Sequence, residues 1–239
     1  MDKQYLRERV WDDLEASGAA RFPFPPHGRI PNFAGADAAA ERLADAPEWR
    51  NAATVKANPD SPQLPARRRA LRAGKTLYMA VPRLRDERCF YRLDPGEIED
   101  IDAAPTVSHV EEYAEQVGPE AVETVDLVLS GSVAVTEDGA RVGKGEGFSD
   151  LEFAVLSDLG LVGPETTVAT TVHERQVVAD EVPVDAHDVP MDLVVTPERV
   201  IRTDTDYARP TTVDWAALAD ERIAEMPVLE RLRSKTEDG

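Results

Sequence analysis

A chain of 239 residues carrying 46 acidic against 27 basic side chains, a net charge of -19, is long enough for one sizeable α/β domain and too negative to bind nucleic acid or anionic membranes across its whole surface. The single cysteine, Cys89, excludes an intramolecular disulfide and has no Cys or His neighbour at metal-binding spacing. No apolar run reaches the length of a membrane span and no signal-type apolar region follows Met1-Asp2-Lys3-Gln4, so a cytoplasmic protein is expected, with an acidic, lysine-poor surface suited to a salty interior.

Residues 3 to 17 place Tyr5, Leu6, Val10, Trp11 and Leu14 close to helical spacing, with Gly18 as a stop. Lys3 and Arg7 are i,i+4 neighbours and project from one face of that helix. The proline-rich run Phe22-Pro23-Phe24-Pro25-Pro26, followed by Arg29-Ile30-Pro31-Asn32, cannot continue a helix and reads as an ordered linker or lid. Helices are predicted over residues 36 to 43 and 47 to 52. Two β-rich runs, residues 53 to 57 and 77 to 81, flank an Arg/Leu/Ala-rich helical stretch over 65 to 73, giving a β-α-β unit with parallel strands. Residues 86 to 105 are less regular, with a turn at Asp94-Pro95-Gly96. Strands follow over 125 to 130, 168 to 172 and 193 to 196, a helix over 151 to 159, and a terminal helix over 215 to 232 interrupted near Pro227. This alternation predicts an α/β layered fold, a largely parallel sheet flanked by helices, with ligands at the carboxyl ends of its strands. One domain over residues 1 to 239 is expected, with an N-terminal helix and lid over 1 to 35 and a C-terminal helical extension over 213 to 234.

The stretch Arg141-Val142-Gly143-Lys144-Gly145-Glu146-Gly147-Phe148-Ser149-Asp150 sets glycines at alternate positions, flanks them with cations and closes with a carboxylate. Such a loop suits a polyphosphate: glycine lets backbone N–H groups approach the ligand, the cations supply charge, and Asp150 is placed to hold a metal ion on the phosphates. The spacing is neither Walker A nor the dinucleotide fingerprint. The same stretch also reads as a tight hairpin, because Glu137-Asp138-Gly139 has the composition of a turn. The one strongly basic cluster, Arg67-Arg68-Arg69 with Arg72, reads as solvated cations or as contacts to an anionic substrate tail rather than as an RNA surface.

Taken in order, Lys3 and Arg7, Val125-Asp126-Leu127-Val128 before Gly131, the glycine loop, and His187-Asp188-Val189-Pro190-Met191-Asp192-Leu193 resemble the 5-formyltetrahydrofolate cyclo-ligase family across nearly the whole chain. Ile30-Pro31-Asn32-Phe33, Gly131-Ser132-Val133-Ala134-Val135 and Gly143-Lys144-Gly145-Glu146-Gly147 look most like its methenyltetrahydrofolate synthetase domain-containing branch. The resemblance implies a fold of the NagB, ribose-5-phosphate isomerase and CoA-transferase type. It also implies a Mg²⁺-ATP-dependent conversion of 5-formyltetrahydrofolate to 5,10-methenyltetrahydrofolate through a phosphorylated formyl group. On this resemblance Lys3, Arg7, Arg141, Gly143, Lys144, Gly145 and Gly147 bind the ATP phosphates, with Arg141 and Lys144 serving catalysis. Asp150 is the first Mg²⁺ ligand, with Asp188 or Asp192 as a second, and His187 reads as structural.

Departures fall on the folate side. Phe148-Ser149 stands where family enzymes commonly have two tyrosines, leaving Phe148 alone to stack on a pterin. The family's acidic pterin residue is missing around residues 58 to 65, where Asp60 or Gln63 is left as the substitute. Two other readings therefore stand beside the reduced folate: an ATP-using enzyme for another small heterocycle, for example a thiamine-related one, and a nonenzymatic nucleotide-binding regulator. Some members of the branch carry an appended RNA-recognition domain, and no RNP-like aromatic motif occurs in this sequence. Oligomeric state is left open.

Overall fold

A computed structural model describes residues 2 to 237, with side chains up to residue 234. The first half of the chain gives α1 (Lys3–Ala16), a short hairpin of β1 (Ala20–Arg21) and β2 (Asn32–Phe33), then α2 (Ala36–Ala44), α3 (Pro47–Asn51), β3 (Thr54–Ala57), α4 (Leu64–Arg72), β4 (Thr76–Ala80), β5 (Phe90–Leu93), α5 (Val110–Tyr113) and β6 (Glu115–Val117). The second half gives β7 (Leu127–Leu129), β8 (Ala134–Thr136), β9 (Arg141–Val142), α6 (Phe148–Asp158), β10 (Thr167–Thr171), β11 (Val177–Val178), β12 (Leu193–Val195), β13 (Val200–Arg202), α7 (Asp220–Ala224) and α8 (Pro227–Glu237).

The main sheet has eight strands in the order β13-β12-β10-β7-β3-β4-β5-β6. Its centre, β12-β10-β7-β3-β4, is parallel as the alternation of strands and helices predicts, while β13 at one edge and β5 and β6 at the other run antiparallel. β5 arises from the stretch that looked irregular in sequence. There Phe90-Tyr91-Arg92-Leu93 pairs with β4, and the turn at residues 94 to 97 follows it, closed by Glu97 N–H donating to the Asp94 carbonyl.

Side chains alternate between the two faces of the sheet. Leu77, Met79, Leu127, Leu129, Ala169, Leu193 and Val195 pack under α2, α3 and α4, whereas Tyr78, Ala80, Val128, Val168 and Val194 pack under α6 and α8. Both faces are covered, which is why these strands read as continuous apolar runs. A second sheet of three strands, β11-β8-β9, lies under α1, whose Leu6, Val10, Trp11 and Leu14 cover Val133, Ala134 and Val142. Sequence periodicity did not announce it, because its strands are only two or three residues long.

After β3 the chain moves outward to β4 and later returns to lay β7 on the other side of β3. The strand order reverses between β3 and β7, and in open α/β sheets a crevice forms at the carboxyl ends of such a pair. Asn58, directly after β3, closes that point: its N–H donates to the Leu129 carbonyl at 3.0 Å, and its side-chain oxygen accepts from Gly131 N–H at 3.2 Å.

Arg67 on α4 corrects the reading of a solvated basic cluster: it is only 1% exposed. Its guanidinium donates to the carbonyls of Asn58 at 2.6 Å, Asp60 at 2.9 Å and Pro105 at 3.0 Å, so it organises the loop after β3. Burial pushes it down to about 9, and it stays charged at neutral pH. Arg67→Met strands three buried carbonyls and is expected to destabilise the fold by about 3 kcal/mol, measured by urea unfolding at high salt. A loss under about 1 kcal/mol would show that the loop does not depend on it.

Candidate functional site

A cleft of about 430 Å³ opens at the β3/β7 switch point. Segments distant in sequence form it: the loop after β3 with Asn58 and Asp60, the end of β4 and the turn after it over residues 79 to 83, Val110 and Glu111 of α5, Gly131 after β7, the glycine loop between β9 and α6, and Pro23, Arg29 and Ile30 of the proline-rich segment.

The glycine stretch is both of the things it resembled. β8 and β9 form a hairpin whose turn places Gly139 at φ +94°, and the glycine loop follows it. Gly145 and Gly147 take positive φ of +107° and +68°, values side chains rarely adopt. Gly147 is the N-cap of α6 and offers no side-chain cap. The amide hydrogens of the first turn of α6 thus meet the loop at the cleft, an arrangement that attracts anions. The predicted helix over residues 151 to 159 therefore begins earlier, and Phe148, Ser149 and Asp150 form its first turn.

Arg141 is the buried centre of this end of the cleft, with a side chain 3% exposed. Nη1 donates to the Gly131 carbonyl at 2.8 Å, and Nη2 meets both Asp150 oxygens at 2.5 Å. Asp150 Oδ1 also accepts from Val189 N–H at 3.0 Å. Arg7 approaches from α1, its Nε donating to the Gly143 carbonyl at 2.7 Å, and burial lowers its pKa from the ordinary value. Lys144, exposed, pairs with Glu146 at 2.7 Å.

Among the expected site residues, Asp60, Arg141, Gly143, Lys144, Gly147, Phe148 and Asp150 line the cleft together, and Arg7 and Gly145 lie against each other at its edge. The structure leaves the others outside it. Lys3 Nζ is bound to Asp188 at 2.6 Å and Asp185 at 3.0 Å. Asp188, partly buried, groups with the exposed Asp185 and His187. Asp192 sits at the amino end of β12, the opposite end of the sheet, where it accepts from Val168 N–H at 2.7 Å and pairs with Arg209. Gln63 is fully buried, its amide directed at Thr171. Phe148 carries the Arg222 guanidinium over its ring at 4.9 Å, and Arg222 also donates to the Glu146 carbonyl at 2.7 Å.

Three polar residues at the floor were not singled out in sequence. Lys56 and Glu152 form a buried ion pair beneath the cleft, and Glu152 lines it. Asn58 links them to the rest: Nδ2 donates to Glu152 at 3.4 Å, and Oδ1 accepts from Ser149 Oγ at 3.1 Å. The signal was present, because Lys56 interrupts the apolar β3 and Glu152 interrupts the apolar run of α6. Asp60 is held differently. Burial raises its pKa above the ordinary carboxylate value, an effect opposed by Lys144 and Arg67.

Fold and site together define an α/β protein with a glycine-rich, cation-flanked loop at the switch point of its sheet. The chain belongs to the 5-formyltetrahydrofolate cyclo-ligase family, whose sequence model matches residues 1–197. It is 42% identical over 241 residues to the methenyltetrahydrofolate synthase domain-containing protein of Bos taurus, covering 99% of this chain and 63% of that one. The Mus musculus protein of the same name is also 42% identical, covering 98% of this chain and 64% of its own length. The chain thus spans a little under two thirds of these relatives. The 5,10-methenyltetrahydrofolate synthetase of Aquifex aeolicus, solved by NMR, shares the fold with a TM-score of 0.55 at 20% identity, covering 87% of this chain and 96% of that one.

Two outcomes test this geometry. Asp150→Ala leaves the buried Arg141 without its carboxylate and is expected to cost about 3 kcal/mol. The exposed Lys144–Glu146 pair predicts less than about 1 kcal/mol for Lys144→Ala. Thermal unfolding of both variants at one salt concentration compares them, and equal losses would contradict the assigned burial. Asp60→Asn should be neutral below the unfolded carboxylate value of about 3.9 and stabilising at higher pH. The sign follows because a folded-state carboxyl with a raised pKa holds its proton longer, so the wild type loses stability as pH rises through that value. Urea midpoints that shift equally at pH 3 and pH 7 would refute the assignment.

Proposed function

We propose that this chain converts 5-formyltetrahydrofolate to 5,10-methenyltetrahydrofolate at the expense of ATP, releasing ADP and phosphate. The observation that carries the reading is the meeting, in one cleft, of the glycine loop and open first turn of α6 with the polar floor around Asn58. Membership of the cyclo-ligase family supports it. In this reaction the formyl oxygen attacks the γ-phosphorus and ADP leaves. The neighbouring N10 then closes the ring on the activated carbon, its proton passes to solvent, and phosphate departs with the former formyl oxygen. Alignment and charge neutralisation are the protein's tasks.

Backbone amides of residues 145 to 149 and Lys144 would receive the phosphates, with Arg7 holding the loop from behind. Arg141 supports them indirectly, since its guanidinium is engaged with Asp150 and Gly131. Mg²⁺ is proposed to arrive with the nucleotide and to be held by phosphates and water. Asp150, Asp188 and Asp192 do not form a ready cage: each is paired with a cation, and Asp192 lies at the other end of the sheet.

The proline-rich segment over residues 20 to 33 is proposed as the cover of the cleft, and residues 213 to 234 as a brace behind α6, both parts of one functional unit in an intracellular, salt-adapted protein. The Arg222 guanidinium lying on Phe148 favours a second reading, in which an ATP-dependent enzyme of this fold takes a different small heterocycle, because that ring face is already occupied.

The test is an absorbance assay at high salt, with 5-formyltetrahydrofolate and Mg²⁺-ATP, for the methenyl product. Product is expected to be ATP-dependent, with Lys144→Ala raising the KM for ATP about tenfold through loss of a charged contact. ATP binding without product would move the reading to another heterocycle or to a nonenzymatic regulator.

A further inference from the structure

Five carboxylates line the cleft: Asp60, Glu111, Glu146, Asp150 and Glu152. A ligand that presents N–H donors needs an acceptor whose oxygen is not already taken and is shielded from water. Glu146 is paired with Lys144. Asp150 gives both oxygens to Arg141 and one of them also to Val189 N–H. Glu111 is exposed and accepts from the Tyr91 hydroxyl at 2.9 Å. Asp60 forms no ion pair among the described residues, so no directly paired cation balances a charge there, and burial raises its pKa above the ordinary carboxylate value.

Glu152 differs from all four. It is 6% exposed, and its Oε2 holds both Lys56 Nζ and Asn58 Nδ2. Its Oε1 has no hydrogen-bond partner among the described residues, although Glu152 lines the cleft. Lys56, 1% exposed, supplies the balancing charge from β3. An ion pair buried in this way is a poor source of stability, because apolar residues of similar volume usually serve as well or better. Two charges set into the buried stretches of a strand and a helix beside a cleft therefore point to ligand binding.

We propose that Glu152, backed by Lys56 and oriented by Asn58, is the specificity-determining carboxylate of the cleft, accepting through Oε1 from an amide or amidine N–H edge of the ligand's heterocycle. The inference deepens the folate reading and rests on it, since the 2-amino-4-oxo edge of a reduced folate carries such donors. It places at the start of α6 the acidic residue that the sequence lacks after β3. Asn58 then has a second consequence, because it couples this floor to Gly131 and Ser149.

The experiment is calorimetric titration at high salt of the wild-type chain, Glu152→Gln and the double variant Lys56→Met/Glu152→Leu. The ligands are 5-formyltetrahydrofolate and its analogue without the 2-amino group, each with a non-hydrolysable ATP analogue present, and the ATP analogue alone. The wild type is expected to prefer the amino compound at least about tenfold. Glu152→Gln should lose about tenfold or more in affinity for it and reduce the preference to about twofold, while nucleotide affinity stays within about twofold. The double variant replaces the pair with apolar groups of similar volume, so it should keep the wild-type melting temperature and show the same lost preference even if Glu152→Gln unfolds. Retained preference in either folded variant, or a parallel fall in nucleotide affinity, would overturn the role of Glu152 alone. A wild type that binds the nucleotide and neither heterocycle would overturn the folate reading and, with it, this assignment.

Discussion

The Arg141–Asp150 pair is the constraint on which the glycine-loop end of the cleft depends. Arg141 comes from β9 in the small sheet, and Asp150 from the first turn of α6, which packs on the main sheet. Their two contacts at 2.5 Å, with Nη1 on the Gly131 carbonyl and Val189 N–H on Asp150, tie the turn after β7, the start of α6 and the segment before β12 to one point. A loop rich in glycine would otherwise pay a large entropy cost on ordering. Fastening it at both ends leaves its amides free to face a ligand, and the two charges compensate each other out of water.

A second polar hub completes the floor. Asn58 uses its backbone N–H and carbonyl on Leu129 and Arg67, and its side chain on Gly131, Ser149 and Glu152. It connects the loop after β3, the turn after β7 and α6, the three parts that meet where strand order reverses. Buried polar networks of this kind are costly when incomplete and specifying when satisfied. Lys56 and Glu152 extend the network below the cleft, where charge would otherwise have no place.

Much of the architecture was legible in the sequence. α1, α2 and the β3-α4-β4 unit follow from periodicity, turn residues and proline positions, and the parallel centre follows from alternation of strands and helices. β5 and β13 were not legible as antiparallel edges, because direction is set by tertiary pairing that a short apolar run does not encode. Lys3 and Asp192 illustrate why spacing does not fix a site. The first is turned to Asp185 and Asp188, and the second lies at the amino end of its strand, a matter of sheet direction rather than composition. Arg67 reads as surface charge in a run of arginines, yet its helix face points inward. Lys56 and Glu152 were visible as breaks in apolar patterns, but only the fold reveals that the two breaks face each other.

The most direct test of the account is the change in backbone amide NMR shifts when a non-hydrolysable ATP analogue and Mg²⁺ are added at high salt. A polyphosphate bound at the open start of α6 predicts the largest shifts at Gly145, Glu146, Gly147, Phe148 and Ser149, with Asn58 and Gly131 following as the hub adjusts. Saturable binding that leaves those amides unmoved, with shifts concentrated elsewhere, would contradict the assignment of this cleft.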